Sequence, residues 1–280
     1  MPETVLAVLG PHGPTLADPT APLLPPNDPG VVRGESVFET LRIAGSRPVF
    51  LDSHLRRLVR SAARLELPLP DGWPELVELA VGSWPLPDGA LRLICSRGGV
   101  AYALVTEVPA EALRGREHGV RAVTLSLGVP AGLRAEAPWL LGGVKSTSYA
   151  VNMAALREAR RAGADDAVLV SSDGEVLEAP TATVAWVSAG TLVTPPPDGV
   201  GILPGTTMEV VLQLCDELAL PYDVRRGTVA ELLEADEVLM TGSVRGVAPV
   251  VRLDGRELGI GRRTVQLRDA FEERVHSTCR

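Results

Sequence analysis

Apolar positions recur along this chain with two periods, and the alternation between them sorts it into strands and helices. Apolar residues alternate or run continuously over 5–9, 36–43, 90–95 and 102–108, which predicts strands. The second of these carries a charged residue, Glu39. In SHLRRLVRSAARL (53–65) the apolar positions instead fall three and four apart, predicting an amphipathic helix with Ser53 as its N-cap. Residues 73–84 predict a second helix.

The second half reads as a strand at 120–125, a helix at 149–161 stopped by Gly163, and strands at 167–170 and 183–187 flanking the turn SSDG (171–174). A helix at 206–218 entered through GILPG, a strand at 237–240 running into TGS, and a helix at 264–275 complete it. The polar stretch PAEALRGREHG (109–119), with its proline and glycines, reads as the join between halves. The expected fold is α+β in two lobes: a small N-terminal domain over 1–112, a linker at 113–119 and a C-terminal domain over 120–280, with a ligand cleft between them.

Composition narrows the function. A chain of 280 residues, 45% hydrophobic with mean hydropathy +0.16, buries a substantial core. Its apolar runs fall well short of the roughly 20 residues that span a bilayer. The first residues, MPETVLAVLG, show no basic region ahead of an apolar core, so no secretory signal is expected. Cys95, Cys215 and Cys279 are odd in number and lack metal spacing, which implies reduced thiols and a cytoplasmic location. The four histidines also lack metal spacing, so no metal is expected. A net charge of −8 argues against nucleic acid or acidic membranes as partners and leaves a small-molecule substrate.

One detail changes the picture. Of the 27 basic residues, 26 are arginine; the only lysine is Lys145, in GGVKSTSY. A guanidinium stays protonated and forms no imine, whereas a lysine amine can be deprotonated and attack a carbonyl. Composition by itself leaves a solvated loop lysine as an equal alternative. Four further features fit an anionic aldehyde cofactor. Glu178, 33 residues on at a strand end, can pair with a heterocyclic nitrogen, although a surface glutamate reads the same way. In Gly201–Thr207 a glycine-rich turn leads into a helix, whose N-terminal amides and the hydroxyls of Thr206 and Thr207 favour a phosphate; plain helix capping is the alternative. Thr241-Gly242-Ser243 offers another hydroxyl, and Arg57 a guanidinium suited to phosphate unless it merely faces solvent with its arginine neighbours. Together these match what pyridoxal phosphate requires: an amine, a ring-nitrogen partner and a phosphate cradle. No GxGxxG follows a strand, no GxxxxGK[ST] exists, and no GxSxG suggests a hydrolase.

Five ordered segments resemble the class IV pyridoxal-phosphate aminotransferase family: GESVFETLRIAGSRPVFLDSHLRRLVRSAARLELP (34–68), LRLICSRGG (91–99), KSTSYAVNMAALREARRAGADDAVLVSSDGEVLEAPTATVAW (145–186), GILPGTTMEVVLQL (201–214) and ADEVLMTGSVRGVAPV (235–250). The resemblance implies a small α/β domain, a larger C-terminal pseudo-barrel domain and a homodimer. It makes Lys145 the Schiff-base lysine, Glu178 the ring-nitrogen partner, and Arg57, Thr206, Thr207 and Ser243 the phosphate ligands. Tyr149 resembles an active-site tyrosine, one residue closer to the lysine than in branched-chain enzymes, and Arg92 and Arg97 match substrate-binding positions. AVNMAALREARRAGADDAV and SVRGVAPV are most similar to the aminodeoxychorismate lyase branch. That branch implies conversion of 4-amino-4-deoxychorismate to 4-aminobenzoate and pyruvate, a step toward folate, although many lyases carry asparagine where this chain has Gly242. Transamination of D-amino or branched-chain acids is the alternative.

Overall fold

A computed structural model describes residues 4–278. Its contacts divide them into two compact units, one formed by 4–109, 144–149 and 274–278, the other by 110–143 and 150–273.

The first unit holds a six-stranded sheet: β1 (Thr4–Gly10), β2 (Gly13–Ala17), β3 (Ser36–Ala44), β4 (Arg47–Pro48), β5 (Gly89–Ser96) and β6 (Ala101–Thr106). All pairings are antiparallel, in the order β2-β1-β6-β5-β3-β4. Alternation puts Leu41, Ile43, Leu91, Leu93, Ala103 and Val105 on one face. There they meet Leu58 and Ala62 of the helix Leu51–Arg64 and Leu76, Val77 and Ala80 of the helix Trp73–Gly82. Excluding these side chains from water is the main force holding the unit together.

The second unit is built on a mixed eight-stranded sheet: β7 (Val120–Ser126), β8 (Asp166–Val170), β9 (Thr183–Ser188), β10 (Thr191–Thr194), β11 (Tyr222–Val224), β12 (Glu237–Gly242), β13 (Gly246–Leu253) and β14 (Arg256–Glu257). The order is β11-β10-β9-β12-β13-β7-β8, with β14 beside β13. β7 and β8 are parallel, so the connection between them is a crossover, and the helix Ala150–Arg161 lies within it. Trp186, Val238, Met240, Val250 and Leu232 form the core. A small antiparallel sheet followed by a larger mixed one is the two-sheet fold expected.

Several local expectations are corrected. The stretch expected as a linker is helical, Ala110–His118, and ends at Gly119, whose φ is +81°. Few apolar residues mark its buried side, so the helical period does not show in the sequence. The helix over 53–65 starts earlier, at Leu51, and Ser53 does not cap it. Phe50 is the N-cap in a left-handed conformation, and the Ser53 hydroxyl accepts from Arg56 Nη2 at 2.8 Å. The 144–149 segment, expected in the C-terminal domain, packs with the first unit. Cys95 and Cys215 are buried and free, while Cys279 lies outside the described residues. Among the described residues, no helix is long and apolar enough to cross a membrane, and no cluster of His, Cys, Asp or Glu could hold a metal ion.

Candidate active site

The candidate residues form two groups, one in each unit.

In the first unit the lysine segment adds itself to β3 as a short extra strand. Phe38 N donates to Lys145 O at 3.0 Å and Thr147 N to Ser36 O at 2.9 Å, on either side of a Val37–Ser146 bridge. Lys145 N donates to the hydroxyl of buried Ser61, on the helix Leu51–Arg64, at 3.1 Å. A backbone held at three points fixes where the side chain starts. Its amine donates to the Tyr149 hydroxyl at 3.1 Å and lies 4.4 Å from the centre of the Phe38 ring. The Phe38 and Tyr149 rings meet edge to face at 5.0 Å. Lys145 is therefore a positioned residue rather than a solvated loop lysine.

Arg57 projects from the same helix and is buried. Its Nε and Nη2 each donate to a Glu39 oxygen at 2.7 Å, and His54 Nδ1 lies 2.6 Å from Glu39 Oε2. Glu39, wholly buried, is the charged position noticed in the strand pattern. Burial pushes its pKa up, but the hydrogen bonds and charge of Arg57, helped by His54, outweigh that and bring it down to about 2. His54 is pushed below the ordinary histidine value, chiefly by burial and further by the charges of Arg57 and Lys145, against the pull of Glu39.

Arg92 is exposed on β5, opposite Thr40 on one side and Leu104 on the other. Arg97 is engaged differently. It is ion-paired to Glu35, and its two terminal nitrogens donate to the carbonyls of Leu65 and Glu66 at 2.6 and 3.3 Å, beyond the end of the helix Leu51–Arg64. That guanidinium is committed to the chain's own acceptors.

In the second unit Glu178 follows the 171–174 turn. Its Oε1 accepts from Arg134 Nη1 at 3.0 Å and its Oε2 from the Leu203 amide at 3.1 Å. Two residues beyond Leu203, Gly205 opens the helix Thr206–Glu217 with no side-chain cap, and Thr206 and Thr207 are buried in its first turn. The Thr206 and Ser243 hydroxyls lie 3.4 Å apart. Thr241 stands opposite Thr183 across β12 and β9, so both side chains share one face of the sheet. A Cβ on Gly205 would come within 2.3 Å of Thr183 Oγ1, so the helix start lies directly against that neighbour. Thr241 Oγ1 is buried with no hydrogen-bond partner. An uncapped helix start, two hydroxyls in contact and an orphaned third suit an anion rich in oxygen acceptors.

Sequence reasoning missed Arg134, Thr241, Phe38 and Ser61 as members of these groups. Thr241 was legible, because it opens the Thr-Gly-Ser turn already singled out. Arg134 lies in an aperiodic stretch that offered no signal.

A nitrogen nucleophile beside two aromatic rings, a carboxylate held by two donors and an anion cradle at a helix start are each parts that an enzyme using an anionic aldehyde cofactor requires. The family model "Amino-transferase class IV" matches residues 36–253, and the chain belongs to that family. A Mycobacterium tuberculosis protein described as a bifunctional aminodeoxychorismate lyase / D-amino acid transaminase is 40% identical over 261 residues, 87% of this chain and 90% of that one. A D-alanine aminotransferase from Bacillus licheniformis is 31% identical, with 84% of each chain covered. A solved structure of a hypothetical aminotransferase from Mycobacterium tuberculosis, in its PLP-bound form, superposes with TM-score 0.92 at 38% identity over 99% of this chain and 100% of that one. The same aminotransferase has been solved with α-ketoglutarate and PMP.

Proposed function

We propose that this chain is a pyridoxal-phosphate lyase converting 4-amino-4-deoxychorismate to 4-aminobenzoate and pyruvate. The observation that carries the chemistry is the Lys145 amine, the only primary side-chain amine in the sequence, fixed by Ser61 and β3 and hydrogen-bonded to Tyr149. The lyase reading draws its support from the 40% identity to the bifunctional mycobacterial enzyme. That relative's second activity favours D-amino acid transamination on the same residues as the alternative.

Lys145 holds the cofactor aldehyde and Glu178 its ring nitrogen. Thr206, Thr207, Ser243 and the orphaned Thr241 would hold the phosphate, and Arg57 is the guanidinium proposed for the same group. The bound cofactor supplies an electron sink for negative charge formed on the substrate carbon that bears the amine. The Lys145 amine would serve as the general base for the proton on that carbon, and Tyr149, which accepts a hydrogen bond from it at 3.1 Å, would orient its nitrogen. Arg92, exposed and carrying no competing ion pair among the described residues, takes a substrate carboxylate. We further propose a cytoplasmic homodimer, with 1–112 as the small domain.

The test is a paired assay on one purified sample. Pyruvate released from aminodeoxychorismate, with the aldehyde form of the cofactor retained, supports the lyase. Conversion of the cofactor to its amine form by D-alanine, D-glutamate or leucine without pyruvate release overturns it in favour of a transaminase. Lys145→Arg keeps the charge, so it is expected to keep the fold and lose the visible chromophore and both activities. Borohydride fixation followed by mass mapping checks the attachment point.

A further inference from the structure

Glu178 is gripped by two segments distant from it in sequence, and both are themselves anchored. Arg134 sits in the short helix Leu133–Glu136 and Leu203 in the turn that leads to the Thr206–Glu217 helix. Ala131, Leu177, Val200 and Ile202 make a separate buried apolar cluster. Leu177 and Ile202 directly precede Glu178 and Leu203, and Ala131 lies three residues before Arg134, so one small core fixes all three members of the polar group. Ahead of Arg134, the Ala131 amide donates to Asp173 Oδ1 at 3.0 Å and Ser172 N donates to Val129 O at 2.8 Å, tying that loop to the turn before Glu178. Two glycines allow the close approach. A Cβ on Gly142 would lie 2.7 Å from Arg134 O, and one on Gly201 would lie 2.6 Å from the Arg134 carbonyl carbon.

We infer that Arg134 is a positioning residue for the reaction: with the Leu203 amide it locks the Glu178 carboxylate so that its remaining acceptor sites face a cationic ring N–H. This rests on the cofactor reading above. A carboxylate oxygen accepts more than one hydrogen bond, so one donor on each oxygen fixes the plane of the group and leaves capacity for a third partner. Leu203 belongs to the turn that opens the anion cradle. The grip therefore couples the ring-nitrogen carboxylate to the phosphate loop, and one rigid element sets the spacing of both. A residue that only stabilised the fold would have no preference for the atom at that ring position.

The test compares the full chain with Arg134→Met, which keeps an unbranched stem and removes the charge and donors, and with Arg134→Lys, which restores the charge without the fork. In the cofactor-free protein, amide exchange at Leu203 is expected to accelerate about tenfold in Arg134→Met and to recover partly in Arg134→Lys; unchanged exchange in both overturns the grip. In the loaded protein, affinity is measured for pyridoxal phosphate and for its carbocyclic analogue, in which a C–H replaces the ring nitrogen. Arg134→Met is expected to lose about tenfold for pyridoxal phosphate and little for the analogue. Equal losses for both compounds, or none, overturn the positioning role. If Arg134→Met does not fold, Arg134→Lys carries the same comparison with a smaller loss for pyridoxal phosphate alone. If the unaltered chain takes up neither compound, the cofactor reading and the role resting on it both fall, and the exchange measurement still decides whether Arg134 grips Glu178.

Discussion

Two side chains show how far single groups are specialised. Glu39 sits at about 2, well below the 4.5 of an ordinary glutamate, because Arg57 and His54 hold its charged form against burial. A carboxylate lowered in this way stabilises the fold fully above about pH 4.5 and loses that contribution as pH falls toward 2, on the order of 3 kcal/mol. His54, lowered from 6.5, acts in the same direction: the unfolded chain takes up its proton below about 6.5 before the folded one does. Stability should therefore fall on acidification from about pH 6.5. Glu39→Gln should flatten the acid limb of a plot of urea midpoint against pH, and an unaltered slope would contradict the assignment. Thr241 presents the opposite economy. Its hydroxyl is buried without a partner, so Thr241→Val should stabilise the cofactor-free chain by about 1 kcal/mol. The same change should weaken pyridoxal-phosphate affinity about tenfold, by removing a donor to the phosphate. Thermal melts and cofactor titration on one preparation read the two opposed signs.

At the level of elements, what was legible was whatever announces itself through periodicity or an unusual residue. The strand over 36–43, the helix over 149–161 and the helix entered at Thr206 lie within a residue or two of expectation, because their apolar faces are continuous. Lys145 and the charged Glu39 stood out against their neighbours. The short strands β10, β11 and β14 were not legible; two to four residues of period two do not separate from chance, and neighbouring strands specify them. The helix Ala110–His118 was misread because few apolar residues mark its buried side, where Gly115 alone is fully covered. The Arg134 grip was invisible because it joins positions 44 residues apart that share no pattern. The helix start at Gly205 carries its own prediction. Its φ of −73° suits any residue, so the glycine is there for space. Gly205→Ala should push Thr183 aside, cost about 1–3 kcal/mol of stability and weaken cofactor binding more than tenfold, measured by denaturant midpoints and titration.

For the molecule as a whole, ligand linkage gives the broadest check. A cofactor that binds only the folded chain, present at about 100 times its dissociation constant, adds roughly 2.7 kcal/mol of stability. Melting temperature should rise by several degrees in saturating pyridoxal phosphate, and by less in Lys145→Arg, where only the non-covalent contacts remain. The way the lysine segment is stitched onto β3 also limits how this gene can be divided. Ser36 O and Phe38 N spend their outward valences on 145–147, which the ribosome delivers more than a hundred residues later. A fragment ending near 109 would be released with that border of its sheet bare, lacking both its nucleophile and its seal. Such unsealed borders recruit whatever extended peptide is nearest, so clumping during synthesis is the hazard this architecture accepts until the returning loop docks.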